Sequence, residues 1–410
     1  MKYVIIGNST AAVGCVEGIR NIDKKGEITV VSSENHACYG RPLISYMLMG
    51  RTDIERMNYR SADFYEKNGV KLMLGETAEK IDANGKTVVL KGGKTLSYDH
   101  LLVATGSRPF LPPMDGMENV AERVPFMTLD DALALDKLIN RDSRVFIVGA
   151  GLIGMKCAEG IADRVAGVEI CDMAPRVLPA VLDEAGAKIV QAEMEKHNCR
   201  FHLGVSVKKF SAYSAELTNG ETVEFDVVVT AVGVRPNAEM VKEAGGKAGR
   251  GITVDERSRT SLPDVYAAGD CTECRNVSTG EEQIMAILPN AYFQGHAAGV
   301  NMAGGDEKFD KAIPMNAGGF FSLHLVTAGA YEGDIIADAS DGNYRKLFIK
   351  DGVLKGFMII GDIRRAGIYT NLIKNATPLA DVDAELILKA PQLMAYGREW
   401  RKEKLGGAVK

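Results

Sequence analysis

The sequence predicts an α/β protein with two doubly wound, three-layer domains followed by a small α+β domain. Three observations carry this. A strand, a glycine-rich turn, a helix and a second strand follow one another at the start of the chain and again from residue 144. Each of these units closes with hairpin signals and one further apolar strand, followed two residues later by a glycine. Residues 313–410 follow neither pattern: short apolar runs precede two helix-like segments. A repeated strand–turn–helix–strand order implies parallel sheets covered on both faces, because parallel strands need a crossover that returns over the sheet.

The first strand spans 2–7 and starts directly from Met1 and Lys2, so no signal peptide is expected. In the turn Gly7-Asn8-Ser9-Thr10-Ala11-Ala12, Gly7 permits a tight bend and Ala12 allows close helix–strand packing. Ser9 stands where a second glycine is usual and leaves room for a pyrophosphate. A helix over about 11–22 would offer its free N–H groups to those phosphates. Glu34 lies just past the strand 28–32 and is the expected acid for adenosine ribose hydroxyls. Asp82-Ala83-Asn84-Gly85 and Lys91-Gly92-Gly93-Lys94 read as hairpin turns. The strand 101–104, then Thr105-Gly106, ends the unit, and Pro109, Pro112 and Pro113 mark a crossover.

The second unit repeats the order with the strand 144–148, a helix over 153–162 and the strand 168–171. Its turn, Gly149-Ala150-Gly151-Leu152-Ile153-Gly154, is a complete dinucleotide fingerprint. Asp172 closes the last of these strands, 23 residues after Gly149, where a ribose-binding acid belongs. A carboxylate there accepts from a free 2′-hydroxyl and repels a 2′-phosphate, which favours NADH over NADPH. Arg176 is the nearest cation and leaves the strict choice open. A hairpin near Asn219-Gly220, the strand 227–231 and Gly233 close the unit. Beyond it, 318–321, 344–349 and 354–360 read as strands, and 366–374 and 382–388 as helices.

Composition excludes several function classes. With 46% apolar and 25% charged residues the chain can build sizeable cores. A net charge of -5 argues against nucleic acid as a partner. No apolar run approaches the roughly 20 residues of a membrane helix, so no membrane insertion is expected. Seven scattered cysteines, an odd number, read as a reduced cytoplasmic set.

Two further segments point to a family. They are Tyr98-Asp99-His100-Leu101-Leu102-Val103-Ala104-Thr105-Gly106-Ser107-Arg108-Pro109 and Thr260-Ser261-Leu262-Pro263-Asp264-Val265-Tyr266-Ala267-Ala268-Gly269-Asp270. With the two fingerprints, and in the same order along roughly 1–300, they resemble the FAD/NAD(P)-dependent pyridine nucleotide-disulfide oxidoreductase superfamily. The resemblance implies two Rossmann-like domains: an FAD domain from 1–112 and 238–312, and an NAD domain at 113–237. Residues 313–410 form the C-terminal α+β domain. It implies FAD contacts at Gly7, Ser9, Ala12, Glu34, Arg41, Pro42, Ala104, Thr105, Gly106, Gly269 and Asp270, with Asp270 on the ribityl chain. NAD contacts fall on Gly149, Gly151, Gly154, Asp172 and Gly233.

The disulfide reductases of that superfamily carry a Cys-x4-Cys pair on an early helix, where this chain has only Cys15. Their C-terminal His-Pro and Glu dyad is absent as well. Tyr39-Gly40-Arg41-Pro42-Leu43-Ile44-Ser45 instead resembles a segment of rubredoxin and ferredoxin reductases and of the flavin portion of assimilatory nitrite reductase. The runs 346–352 and 356–362 are similar to that branch's C-terminal domain. In this register Cys38 falls several positions before the redox cysteine of another branch and reads as a small apolar residue. Cys271-Thr272-Glu273-Cys274 has redox spacing, but without a second pair no structural zinc and no other metal is expected.

Two positions depart from the branch together. Tyr46 stands where relatives often carry a lysine near the flavin, and Lys156 where they carry the facing glutamate. A lysine in the first turn of a helix opposes the macrodipole, so Lys156 is read as the relocated cation beside the flavin. The implied activity is FAD-dependent NADH oxidation, with electrons passed in either direction between the flavin and an iron–sulfur protein: rubredoxin, a ferredoxin or a partner subunit. Two other readings stand beside it. One is an NADH oxidase or peroxidase using Cys38; the other is a docking subunit whose shape responds to nucleotide. The oligomeric state is left open.

Overall fold

Lys2–Ile6 is buried at every position after its first, as a strand flanked by parallel neighbours must be. It is the middle strand of a five-stranded parallel sheet ordered Val265–Ala267, His100–Val103, Lys2–Ile6, Glu27–Ser32, Val70–Leu74. A second parallel sheet repeats the plan in the order Cys199–Leu203, Gly167–Asp172, Arg144–Val148, Val227–Thr230, Arg123–Pro125. In both sheets the glycine-rich turn follows the middle strand. There the chain's next strand lies on one side and a much later one on the other. The carboxyl end of such a strand is the crevice where open α/β sheets bind ligands.

The computed structural model describes residues 1–340 and 342–405. Both parallel sheets lie in one compact unit, Met1–Cys274 with Leu288–Phe309; Arg275–Ile287 and Asp310–Lys410 form another. Five helices of the first unit matter for the site: α1 (Thr10–Ile22), α2 (Ile44–Leu48), α3 (Leu129–Leu138), α4 (Leu152–Ile161) and α5 (Leu288–Met302). The strands and helices expected in this unit are present with ends shifted by no more than two residues, whereas the strand expected over 318–321 is Met315–Phe320.

The helix α5 has no counterpart among the sequence expectations, and it packs face to face with α1. The contact has no room for side chains. A Cβ on Gly14 or Gly18 would lie 2.3 or 2.2 Å from the Tyr292 or His296 carbonyl oxygen. A Cβ on Gly295 or Gly299 would lie 2.0 or 2.2 Å from those of Ala11 and Cys15. Two glycines four apart on each helix thus let the backbones touch.

The other unit is built on a five-stranded antiparallel sheet ordered Met315–Phe320, Leu323–Gly329, Val353–Ile360, Asn343–Lys350, Asp334–Ser340. Leu347, Phe357 and Tyr369 lie in its core. Leu323–Gly329 and Asp334–Ser340 were not among the expected strands. The helix expected over 382–388 is Ala384–Lys389, because the Asp383 carboxylate caps it by accepting from the Leu386 N–H. Among the described residues no helix is long and apolar enough to cross a membrane.

Candidate functional site

The first glycine-rich turn is built around a backbone crossing. Gly7 has φ +105°, and a Cβ there would lie 2.0 Å from the Ala104 carbonyl oxygen. Its N–H donates to the Val31 carbonyl at 2.8 Å, so the turn is pinned between both neighbouring strands. Ser9 is the N-cap of α1, yet its hydroxyl does not cap the helix. Ala12 is buried, as close packing requires. Asn8 accepts from the Tyr65 hydroxyl at 2.7 Å, and that hydroxyl also receives the Cys38 N–H at 3.1 Å.

The Gly269-Asp270 segment sits beside the start of α1. A Cβ on Gly269 would touch the Ala11 and Ala291 methyls at 3.4 and 3.5 Å. Gln294 of α5, 3% exposed, accepts from the Gly269 N–H at 2.8 Å and from the Thr272 hydroxyl at 3.1 Å. Sequence reasoning missed Gln294; its only signal was a polar side chain among alanines and glycines. Burial holds the Asp270 carboxyl above its ordinary value, and the charge of Arg41 only partly offsets this. A half-dry carboxylate gains from hydroxyl donors, so this position fits the ribityl chain of FAD.

Arg41 also bonds Glu34 at 2.6 Å and the Met127 carbonyl at 3.0 Å. Glu34 accepts from the Tyr39 hydroxyl at 2.7 Å as well, so each of its oxygens already holds one protein donor and retains one lone pair. Pro42 is the second residue of the short turn Arg41–Leu43 ahead of α2. Thr105 and Asn237 exchange hydrogen bonds at 2.8 and 2.9 Å, Ser107–Pro109 pairs antiparallel with Val234–Pro236, and the Phe110 N–H meets the Gly233 carbonyl. The Thr105-Gly106 and Gly233 segments, read separately in the sequence, therefore form one clasp.

The second turn shows what each fingerprint glycine does. Gly149 has φ +116°, and a Cβ there would strike the Ala231 carbonyl at 2.3 Å. A Cβ on Gly154 would lie 1.9 Å from the Gly149 carbonyl. At Gly151 nothing lies within 4 Å. The protein itself requires the first and third glycines, while the second faces open space, as a pyrophosphate site needs. Asp172 accepts from the Ala150 N–H at 2.7 Å and the Ala174 N–H at 2.8 Å. Arg176 turns its donors onto the Leu182 and Pro179 carbonyls.

Lys156 and Tyr46 do face each other: the ammonium lies 4.5 Å from the ring centroid. Two details correct the sequence reading. The helix α4 starts at Leu152, so Lys156 falls in its second turn, where the macrodipole has little effect. Its ammonium also pairs with Glu159, 2% exposed and one turn further along α4. The cation is thus accompanied by a buried anion that the sequence reading did not single out.

Cys38 is 4% exposed, and burial pushes its thiol up to about 12. Cys271 is fully buried, with its thiol donating to the Val103 and Ala268 carbonyls at 3.5 and 3.4 Å and pushed up to about 11 by burial. All seven cysteines are free thiols. Among the described residues no group of three or more His, Cys, Asp or Glu side chains is arranged to hold a metal.

Comparison with known proteins gives one family and several relatives. The family described as pyridine nucleotide-disulphide oxidoreductase matches residues 1–295. The epsilon subunit of NADH-dependent phenylglyoxylate dehydrogenase from Aromatoleum evansii is 32% identical, over 97% of this chain and 96% of that one. The assimilatory nitrate reductase electron transfer subunit of Bacillus subtilis is 30% identical over 88% of this chain, which spans only 48% of that longer protein. The putidaredoxin reductase–putidaredoxin complex superposes with a TM-score of 0.87 at 23% identity, covering 94% of this chain and 95% of the solved one.

Proposed function

The chain belongs to the pyridine nucleotide-disulphide oxidoreductase family, and from that premise we propose that it works as an electron-transfer component between NAD(H) and an iron–sulfur protein or subunit. It is an FAD-dependent NAD(P)H oxidoreductase. FAD, when bound, takes up two electrons with hydride and can release them one at a time. The chain's own residues supply position and charge. The open second position of the NAD fingerprint beside Asp172 is the observation that carries the nucleotide half of this reading.

Full-length similarity to a dehydrogenase subunit supports a partner subunit as the other electron carrier, with either direction of flow. We assign Gly7, Ser9, Ala12, Glu34, Arg41, Pro42, Ala104, Thr105, Gly106, Gly269 and Asp270 to FAD. To NAD we assign Gly149, Gly151, Gly154, Asp172 and Gly233. The FAD domain would comprise 1–112 and 238–312, the NAD domain 113–237 and the C-terminal domain 313–410. Lys156 and Tyr46 are taken to set the electrostatics beside the flavin. Seven free thiols support a cytoplasmic setting. A protonated, buried Cys38 speaks against the oxidase or peroxidase reading, which needs a thiolate.

Stopped-flow reduction by NADH, followed by parallel reoxidation with rubredoxin, ferredoxin and dioxygen, tests the proposal. Fast reoxidation by an iron–sulfur protein and slow reoxidation by dioxygen are expected. The reverse order would replace this reading with the oxidase.

A further inference from the structure

The segment that follows Asp172 is wired to the NAD fingerprint. Ala150, fully buried in that turn, is gripped on both sides: its N–H goes to Asp172 at 2.7 Å, and its carbonyl accepts from the Leu178 N–H at 2.9 Å. Leu178 is a buried leucine at φ +49°, a conformation that side-chain-bearing residues adopt only when their surroundings impose it. The imposition is visible. The Leu178 carbonyl accepts from the Val181 and Leu182 N–H groups, each at 2.9 Å. Arg176 then spans the same turn, donating from Nε to the Leu182 carbonyl at 3.1 Å and from Nη2 to the Pro179 carbonyl at 3.2 Å.

We propose that Arg176 is a positioning residue for NAD(H). By closing the turn over 176–182 it holds Leu178 against Ala150, and so fixes the backbone that receives the pyrophosphate. Two of its donor nitrogens are directed into this turn, which sets it apart from an arginine that reads the nucleotide's 2′ group. A planar guanidinium suits the task because it meets two separated carbonyls at once; an ammonium is a single point. The proposal rests on the reading of the 149–154 turn as the NAD site.

The consequence concerns both nucleotides equally, since NAD⁺ and NADP⁺ share the pyrophosphate and differ only at the 2′ position. Calorimetric titration of the FAD-loaded protein with NAD⁺ and with NADP⁺ reads binding without turnover. In Arg176→Met both dissociation constants should rise by about tenfold, with their ratio unchanged, as expected for the loss of about one net hydrogen bond's worth of ordering. FAD content and melting temperature should stay at wild-type values. Arg176→Lys should fail to restore affinity. A loss confined to NADP⁺ would make Arg176 a 2′-phosphate reader and overturn the proposal. Unchanged constants, or losses that track a fall in melting temperature, would overturn it too. If Arg176→Met does not fold, Arg176→Gln carries the same comparison. A wild-type protein that binds neither nucleotide would instead end the reading of the site itself.

Discussion

Lys156 shows how one structural neighbour changes the meaning of a residue. Read alone, it is a cation supplied to the flavin; in the structure it also neutralises Glu159. Glu159 is buried and Lys156 only partly so, and losing the ammonium takes a favourable charge contact from a carboxylate held out of water. Lys156→Met should therefore lower thermal stability. It should also lower the flavin midpoint by about 30–65 mV, the equivalent of about 1.5–3 kcal/mol for a two-electron couple. Adding Glu159→Gln should restore much of both. A midpoint that does not move in a spectroelectrochemical titration would leave Lys156 a purely structural partner. Asp172 would carry a similar double duty, since it holds the Ala150 N–H besides the ribose role proposed for it. Asp172→Ala should weaken NADH tenfold to over a hundredfold, corresponding to about 1.5–3 kcal/mol, and NADPH by less because a repulsion is also relieved. Equal losses in flavin-reduction kinetics would confine Asp172 to the loop. Cys38, with a thiol near 12, stays protonated throughout the neutral range and gains thiolate only as pH rises toward that value. Cys38→Ser should leave NADH-driven flavin reduction nearly intact. A charge-transfer band present in the wild type and lost in this variant would contradict the assignment.

At the scale of elements, the pairing of α1 with α5 holds the helix that follows the first glycine-rich turn. The N-terminus of α1 begins two residues past Asn8, and its axis is set by glycines that admit no methyl group. Gly295→Ala would drive a Cβ to within 2.0 Å of the Ala11 carbonyl, a backbone atom that cannot swing aside. Overpacking of this kind costs about 1–3 kcal/mol. The expected outcome is a lower melting temperature together with weaker FAD retention, followed by flavin fluorescence on heating. Gly167→Ala, where an added methyl meets nothing within 4 Å, is the control. If both variants melt and release FAD alike, the helix contact does not govern the site.

At the scale of the whole molecule, the chain crosses between its two units three times: after Cys274, after Ile287 and after Phe309. The segment Arg275–Ile287 belongs to the second unit, where the Val277 N–H bonds the Ala312 carbonyl at 2.9 Å and its side chain packs against that unit's core. A chain ending at Phe309 would keep this segment but lose the Ala312 carbonyl and the core that its Val277 side chain packs on. Limited proteolysis should cut within 275–287 faster in such a truncation than in the intact protein. Equal resistance in both would show that the segment is held independently of residues 310–410.

Local residue patterns carried the repeated strand–turn–helix–strand order and the placement of both glycine turns. They also located the acids after the second strands and placed three of the five C-terminal strands. These features are legible because strand and helix periodicity and the steric demands of a tight turn act over a few neighbouring residues. The tertiary structure alone decided who meets whom. It joined Gln294 to Gly269, closed Thr105 on Asn237 across 132 positions, and aimed Arg176 inward at its own loop. Even Glu159, one turn from Lys156, gained its meaning only from being buried. No local pattern encodes such pairings, because burial and long-range hydrogen bonding depend on which surfaces the folded sheets and helices bring together.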